Sequence, residues 1–248
     1  MRSSKTIRKI FLHGWATDKR VWECQLKSFR NSSALNLPGH GSEKNWDEPT
    51  LKPAVDMVLD SIKKGPVIGI GWSLGAEVLM EAITLMPDKF AALIVTGGTP
   101  SFVEREDFQW GQKKSLVKKM LIDFKKSPEK TLKRFYALNF TGHELKKDGA
   151  RNFLKLYGKS KRFDFEGIKE ALSSLMSADM REKLPSINIP TLIIHGGRDS
   201  VCPAGAARYL KENIKGARLE IFRDAGHAPF VTEPKRFDKC VMKFLERI

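Results

Sequence analysis

Two hydrophobic periods alternate along the chain. Segments of strand length and texture occur at Lys5–Leu12, Pro66–Gly71, Ala91–Thr96, Pro190–Ile194 and Leu219–Phe222, and Pro66–Gly71 is a continuous apolar run. Each is short and bounded by glycine, proline or polar residues, as buried strands are. A shorter apolar segment, Ala34–Leu37, ends at the turn signal Pro38-Gly39-His40-Gly41. Between these runs the spacing becomes helical: Val55, Met57, Val58, Leu59 and Ile62 mark a helix over Leu51–Lys63. Leu74–Met86, Ala204–Asn213 and Pro234–Ile248 read as further helices. Strands alternating with helices predict an α/β fold, a mostly parallel sheet covered on both faces. No internal repeat is visible.

From Ser101 to Lys183 the strand texture disappears. Leu116, Met120 and Phe124, then Leu132, Phe135 and Leu138, then Phe153, Leu154 and Tyr157 recur at helical spacing in a lysine-rich background. The expected organisation is a core from residues 1–100 and 184–248 with a helical cap, 101–183, inserted between them. Such a cap would cover the carboxyl edge of the sheet, where open α/β sheets bind ligands.

Composition narrows the function classes. With 248 residues, 41% hydrophobic and 29% charged, the chain is long and apolar enough for a folded core. No apolar run approaches the ~18–20 residues needed to cross a bilayer. Met1–Lys9 is basic, but only Ile10-Phe11-Leu12 follows before His13, too short for a secretion signal. A cytoplasmic monomer is expected. Cys24, Cys202 and Cys240 match neither a disulfide framework nor a metal spacing, and no metal or organic cofactor is expected.

The strongest chemical signal is Gly71-Trp72-Ser73-Leu74-Gly75. It fits G-x-S-x-G between a strand and a helix, where a sharp turn lifts the serine clear of the sheet. Ser73 is the candidate nucleophile, and it needs a base. Of the five histidines, His227 follows the last strand, in Asp224-Ala225-Gly226-His227-Ala228-Pro229-Phe230. His195 ends a strand as a turn residue, His13 and His40 lie in turns, and His143 falls in the cap. The orienting acid should follow the penultimate strand, as Asp199 does in Gly196-Gly197-Arg198-Asp199; Asp224 is the nearest rival. The order Ser73, Asp199, His227 is that of the α/β-hydrolase fold. An oxyanion site needs two backbone N–H groups: Leu74, after the nucleophile, and Trp15, in the loop after the first strand, are the candidates.

Formal net charge is +15. Between Gly111 and Arg162 there are 16 Lys/Arg against 4 Asp/Glu, so most of the excess sits in the cap. Lys130 and Arg134, Lys147 and Arg151, and Arg151 and Lys155 are spaced i,i+4 and would share helix faces. A surface of this kind suits an acidic protein partner. No nucleic-acid motif accompanies it, so no nucleic-acid role is assigned.

At Leu12-His13-Gly14-Trp15, Leu37-Pro38-Gly39, Gly71-Trp72-Ser73-Leu74-Gly75, Arg134-Phe135-Tyr136-Ala137-Leu138 and Gly226-His227-Ala228-Pro229-Phe230, the chain resembles the carboxylesterases that cleave pimeloyl-[acyl-carrier protein] methyl ester in biotin synthesis. The resemblance implies a substrate site of Trp15, Ser73, Leu74, Phe135, Tyr136, Ala137, Leu138, Asn139 and His227. It also implies that Lys130, Arg134, Lys147 and Arg151 hold the acidic carrier protein. Lys130 and Lys147 stand where arginine is usual, Asn139 where glutamine is, and Ala76 replaces a second glycine; the leading hairpin strands common in the fold also have no counterpart. A general short-chain carboxylesterase, a carbon–carbon bond hydrolase or a quinone-pathway lyase could use the same triad. A binding protein on a hydrolase scaffold would not need one.

Overall fold

The computed structural model describes residues 6–41, 45–158 and 164–248. Six strands form one sheet: β1 (Lys9–Leu12), β2 (Ser32–Leu35), β3 (Val67–Trp72), β4 (Phe90–Thr96), β5 (Thr191–Gly196) and β6 (Arg218–Phe222). Their order is β2-β1-β3-β4-β5-β6, and every pairing is parallel. The connections carry α1 (Glu23–Ser28), α2 (Lys52–Ser61), α3 (Leu74–Leu85), α8 (Ala204–Asn213), α9 (Pro229–Thr232) and α10 (Pro234–Leu245). Four more helices enter between β4 and β5: α4 (Lys114–Lys126), α5 (Pro128–Leu138), α6 (Asp148–Tyr157) and α7 (Phe165–Ser177). The chain runs from β1 to β2 on one side and then returns to β3 on the other. That reversal opens a crevice at the carboxyl ends of β1 and β3, the usual place for a ligand in this architecture.

The sheet's two faces differ in the residues they ask for. Phe11 and Ile70 are register partners on one face. There Phe11 meets Trp22 and Phe29, and Trp22 stacks on Phe230 at 4.1 Å. On the other face α3 lies so close to β3 that side chains are excluded. A methyl group at Gly71 would come within 2.6 Å of the Ala76 backbone, and one at Gly75 within 2.6 Å of the Leu12 and His13 carbonyls. The flanking glycines of the serine motif are therefore packing requirements. The inner strands β1, β3 and β5 are buried along their whole length, while β6, at an edge, alternates toward solvent.

The strands and helices read from periodicity are present with boundaries shifted by a few residues. The first run forms a strand only from Lys9; Lys5 lies outside the described residues. α1 was not signalled by its sequence, because six residues are too few to show a period. Two apolar residues of the insertion, Leu116 and Leu138, are 55% and 54% exposed instead of joining a core. They line a groove between α4 and α5. No described helix is long and apolar enough to cross a membrane.

Glu77, on α3, is 1% exposed, and burial holds its carboxyl well above the usual range. The native state thus keeps a proton that the unfolded chain releases above about pH 4. Stability should fall as pH rises from there toward the raised pKa. Glu77→Gln removes that dependence. Its melting temperature should match the parent near pH 4 and exceed it near pH 8; an equal difference at both would contradict the assignment. Gly75→Ala should cost about 1–3 kcal/mol of unfolding free energy through overpacking against β1. An unchanged denaturation midpoint would show that the contact can relax.

Candidate active site

The elbow is built by the meeting of β3 and α3. Ser73 has φ 54° and ψ −121°, one of three non-glycine residues with positive φ among those described. Such a conformation costs of order 1–3 kcal/mol and needs support from its surroundings. Support comes from the Ser73 N–H, which donates to the Thr96 carbonyl at 3.0 Å, and from the Ser73 carbonyl, which accepts from Ala76 and Glu77 at 2.8 and 3.2 Å. Ser73 is 7% exposed. Leu74 opens α3, so its N–H is among those a helix leaves without an intrahelical partner. Among the described residues, neither the Leu74 nor the Trp15 N–H has a backbone acceptor.

Asp199 and His227 arrive from the ends of β5 and β6. His227 Nδ1 donates to Asp199 Oδ2 at 2.7 Å, and both side chains are fully buried. Asp199 Oδ1 accepts the Val201 and Cys202 N–H groups, each at 2.8 Å. His195 Nε2 donates to the Cys202 carbonyl at 2.7 Å and lies 3.2 Å from Asp199 Oδ2. Burial alone would raise the Asp199 carboxyl. The two imidazoles and these hydrogen bonds outweigh it and hold the group well below the usual carboxylate range. Asp199 is therefore an anion at neutral pH. With its Nδ1 proton donated to Asp199, His227 keeps a lone pair on Nε2, which has no hydrogen-bond partner among the described residues. The indole of Trp72, next to Ser73, donates to the His227 carbonyl at 3.0 Å. This brings the His227 loop to the elbow.

The alternatives take other roles. Asp224 is exposed and pairs with Arg198 at 3.0 Å. His13 Nε2 accepts the Leu37 N–H at 2.9 Å, which leaves its Nδ1 proton to the Gly14 carbonyl at 2.8 Å. Burial lowers His13 to about 4 and His40 to about 3, so both stay neutral. His143 is exposed.

The inserted helices line a cavity of about 270 Å³. Its apolar walls include Leu116, Val117, Phe135 and Leu138; Lys119 and Arg134 bring charge, and Ser200 and Val201 connect it to the loop after Asp199. The Trp15 ring meets Phe135 edge-on at 4.8 Å. Of the other expected substrate residues, Ala137 is half-buried. Tyr136 is 1% exposed, with its hydroxyl on the Ala16 carbonyl at 2.7 Å, so it does not line the groove. Asn139 is also turned inward: its side-chain amide N–H donates to the Phe135 and Tyr136 carbonyls, and its backbone carbonyl accepts the His227 N–H at 2.9 Å. Both belong to the substrate stretch that the resemblance implies, and in this structure their polar groups hold backbone.

Lys130 and Arg134 are exposed on α5. Lys147 is half-buried just ahead of α6, and Arg151 pairs with Asp148 at 2.7 Å, which partly neutralises that second pair. Lys159, Lys161 and Arg162, counted in the basic block, lie outside the described residues.

Besides Tyr136 and Asn139, three residues make contacts that escaped sequence reasoning. His195 supports Asp199, as above. Tyr157, on α6, donates to the Asp18 carbonyl at 3.2 Å. Glu144, 1% exposed, accepts from Thr141 N–H at 2.9 Å, Gly226 N–H at 2.8 Å and Thr232 Oγ1 at 2.5 Å. The Thr141-x-x-Glu144 spacing is that of a capping box, a signal that was available. Its reach to the His227 loop was not.

A family model described as the alpha/beta hydrolase fold matches residues 10–234. A pimeloyl-[acyl-carrier protein] methyl ester esterase of Nitrosomonas europaea is 31% identical, over 93% of this chain and 92% of that protein. An enzyme of the same name from Aromatoleum aromaticum is 30% identical, over 91% and 93%. Among solved structures, an esterase from Exiguobacterium antarcticum superposes with a TM-score of 0.85 at 25% identity, covering 97% of this chain and 92% of its own. The chain therefore belongs to the α/β-hydrolase superfamily and, within it, to the pimeloyl-[acyl-carrier protein] methyl ester esterase family.

Proposed function

We propose that the chain is a serine carboxylesterase that hydrolyses the methyl ester of pimeloyl-acyl-carrier protein and frees the distal carboxylate. The observation that carries the catalytic part is the buried Asp199–His227 pair, which leaves Nε2 of His227 without a partner among the described residues, on a loop that Trp72, the neighbour of Ser73, bonds at the His227 carbonyl. The relatives' names support the substrate, and the groove beside Asp199 supports an acyl chain entering between core and cap.

The steps follow from the groups present. His227 Nε2 takes the Ser73 hydroxyl proton as Oγ attacks the ester carbonyl. The Trp15 and Leu74 N–H groups receive the oxyanion; preorganised donors of this kind are the largest single contribution in many enzymes. Asp199 keeps the imidazole in the right tautomer and stabilises the imidazolium. The tetrahedral intermediate collapses, the carbon–methoxy bond breaks, and His227 returns the proton to methoxide to release methanol. Water, deprotonated by His227, attacks the acyl-serine; collapse regenerates Ser73 and releases the carboxylate. His195, 3.2 Å from the shared carboxylate oxygen, helps keep Asp199 ionised.

The helices between β4 and β5, with residues 101–183 as their limits, serve as the cap. Its cations, Lys130 and Arg134 first and Lys147 and Arg151 second, face an acidic carrier. Arg151 contributes less because Asp148 shares its charge. One chain supplies every group in the scheme, in keeping with a monomer, and the reaction is assigned to the cytoplasm.

On carrier-bound pimeloyl methyl ester, Ser73→Ala should lower kcat by at least on the order of 10⁴-fold. Raising salt from near 50 to near 300 mM should raise KM for the parent, since exposed charges attract less when screened. A salt-independent KM would remove the electrostatic carrier site. Arg134→Glu should raise KM for the carrier-bound ester on the order of tenfold relative to the free methyl ester. Equal changes for both substrates would place Arg134 in the acyl groove and leave it no role in carrier docking.

A further inference from the structure

The turn that carries the Trp15 amide is held in a strained form. Ala16 has φ 55° and is fully buried. This left-handed conformation costs an alanine free energy, because its Cβ crowds the backbone. The Ala16 carbonyl accepts the Tyr136 hydroxyl at 2.7 Å. Tyr136 stands 120 residues further along the chain, on α5. Its ring is packed against Phe153 and Tyr157, with centroids 5.9 and 5.8 Å away. Burial pushes the phenol pKa up, so the hydroxyl remains a donor.

The rest of the loop is pinned on either side. The Trp15 indole donates to the Ile168 carbonyl of α7 at 2.8 Å, and the Tyr157 hydroxyl to the Asp18 carbonyl at 3.2 Å. Thr17 Oγ1 closes the turn on the Gly14 carbonyl at 2.9 Å. The peptide that leaves the left-handed residue is held at its carbonyl by Tyr136 and, through a longer bond, at its Thr17 N–H, which donates to the Gly14 carbonyl at 3.4 Å. Without the Tyr136 bond Ala16 can relax toward an ordinary backbone conformation, which would swing the adjoining Trp15 peptide.

We infer that Tyr136 is a positioning residue for the oxyanion site: its hydroxyl holds the Ala16 turn so that the Trp15 N–H points at the developing negative charge. The cap is then part of the catalytic apparatus as well as a cover. The inference rests on the reading of Ser73 as nucleophile and Trp15 as oxyanion donor.

Tyr136→Phe keeps the ring and deletes the hydroxyl. Assayed on p-nitrophenyl butyrate, it should lower kcat on the order of tenfold with KM unchanged, as a misaimed oxyanion donor does. Adding Ala16→Gly, which removes the steric cost of the left-handed turn, should restore part of the lost kcat. A kcat within twofold of the parent would overturn the inference. So would a loss of kcat with no recovery in the Ala16→Gly, Tyr136→Phe double variant, including the case where the melting temperature falls. Ser73→Ala in the same assay separates the two levels. Activity surviving that change would remove the catalytic reading itself. Activity lost there but unchanged in Tyr136→Phe would overturn only the role of Tyr136.

Discussion

The hydrogen bond between His227 Nδ1 and Asp199 Oδ2 is the constraint around which the molecule is arranged. It joins a buried carboxylate to a buried imidazole, and a charge so placed is tolerated only when its remaining acceptor sites are filled. Two backbone N–H groups and His195 fill them. Both partners must arrive from neighbouring strand ends. The parallel pairing of β5 and β6 provides this, since it sets Gly196 opposite Phe222 and sends both loops out of the same edge. The same edge carries the Ser73 turn at the end of β3 and the Trp15 loop at the end of β1. A parallel sheet with a reversal between β1 and β3 is the scaffold such a meeting needs.

The inserted helices complete that edge. Each of the three loops that approach Ser73 has a hydrogen bond to them. Tyr136 and Tyr157 hold the loop after β1. The Ser200 hydroxyl donates to the Leu138 carbonyl at 3.0 Å, and Gln112 donates to the Ser200 and Val201 carbonyls, which ties down the loop after Asp199. Glu144 and the Asn139 carbonyl hold the loop of His227. The face turned outward has a different character: an apolar groove between α4 and α5, with Arg134 among its lining residues. One insertion therefore has an inner side tied by hydrogen bonds to the loops after β1, β5 and β6 and an outer side that carries an open, mostly apolar groove.

What the sequence made legible follows from how local each signal is. The Ser73 elbow is written in five consecutive residues, since a tight strand–helix turn dictates its own glycines. Asp199 and His227 are each marked by their place after a strand, and the alternation of strands and helices orders them. Contacts between distant segments leave no such trace. Tyr136 sits on the buried face of an amphipathic helix like any core aromatic, and only the fold reveals that its hydroxyl ends on Ala16. Glu144 is visible as one half of a capping box, while the other half of its bonding lies 82 and 88 residues away. Helical period marks Leu116 and Leu138 as apolar positions but cannot distinguish a core from a groove wall. Residue type marks Arg151 as a cation but does not tell that Asp148 is turned toward it.

The central claim is that Ser73 is made nucleophilic by His227. Labelling with a fluorophosphonate, followed by peptide mass analysis, tests this without reference to any substrate. The claim predicts one adduct per chain, located on the Ser73 peptide, forming several orders of magnitude more slowly in His227→Ala. An adduct on another residue, or equal labelling rates in parent and His227→Ala, would contradict it.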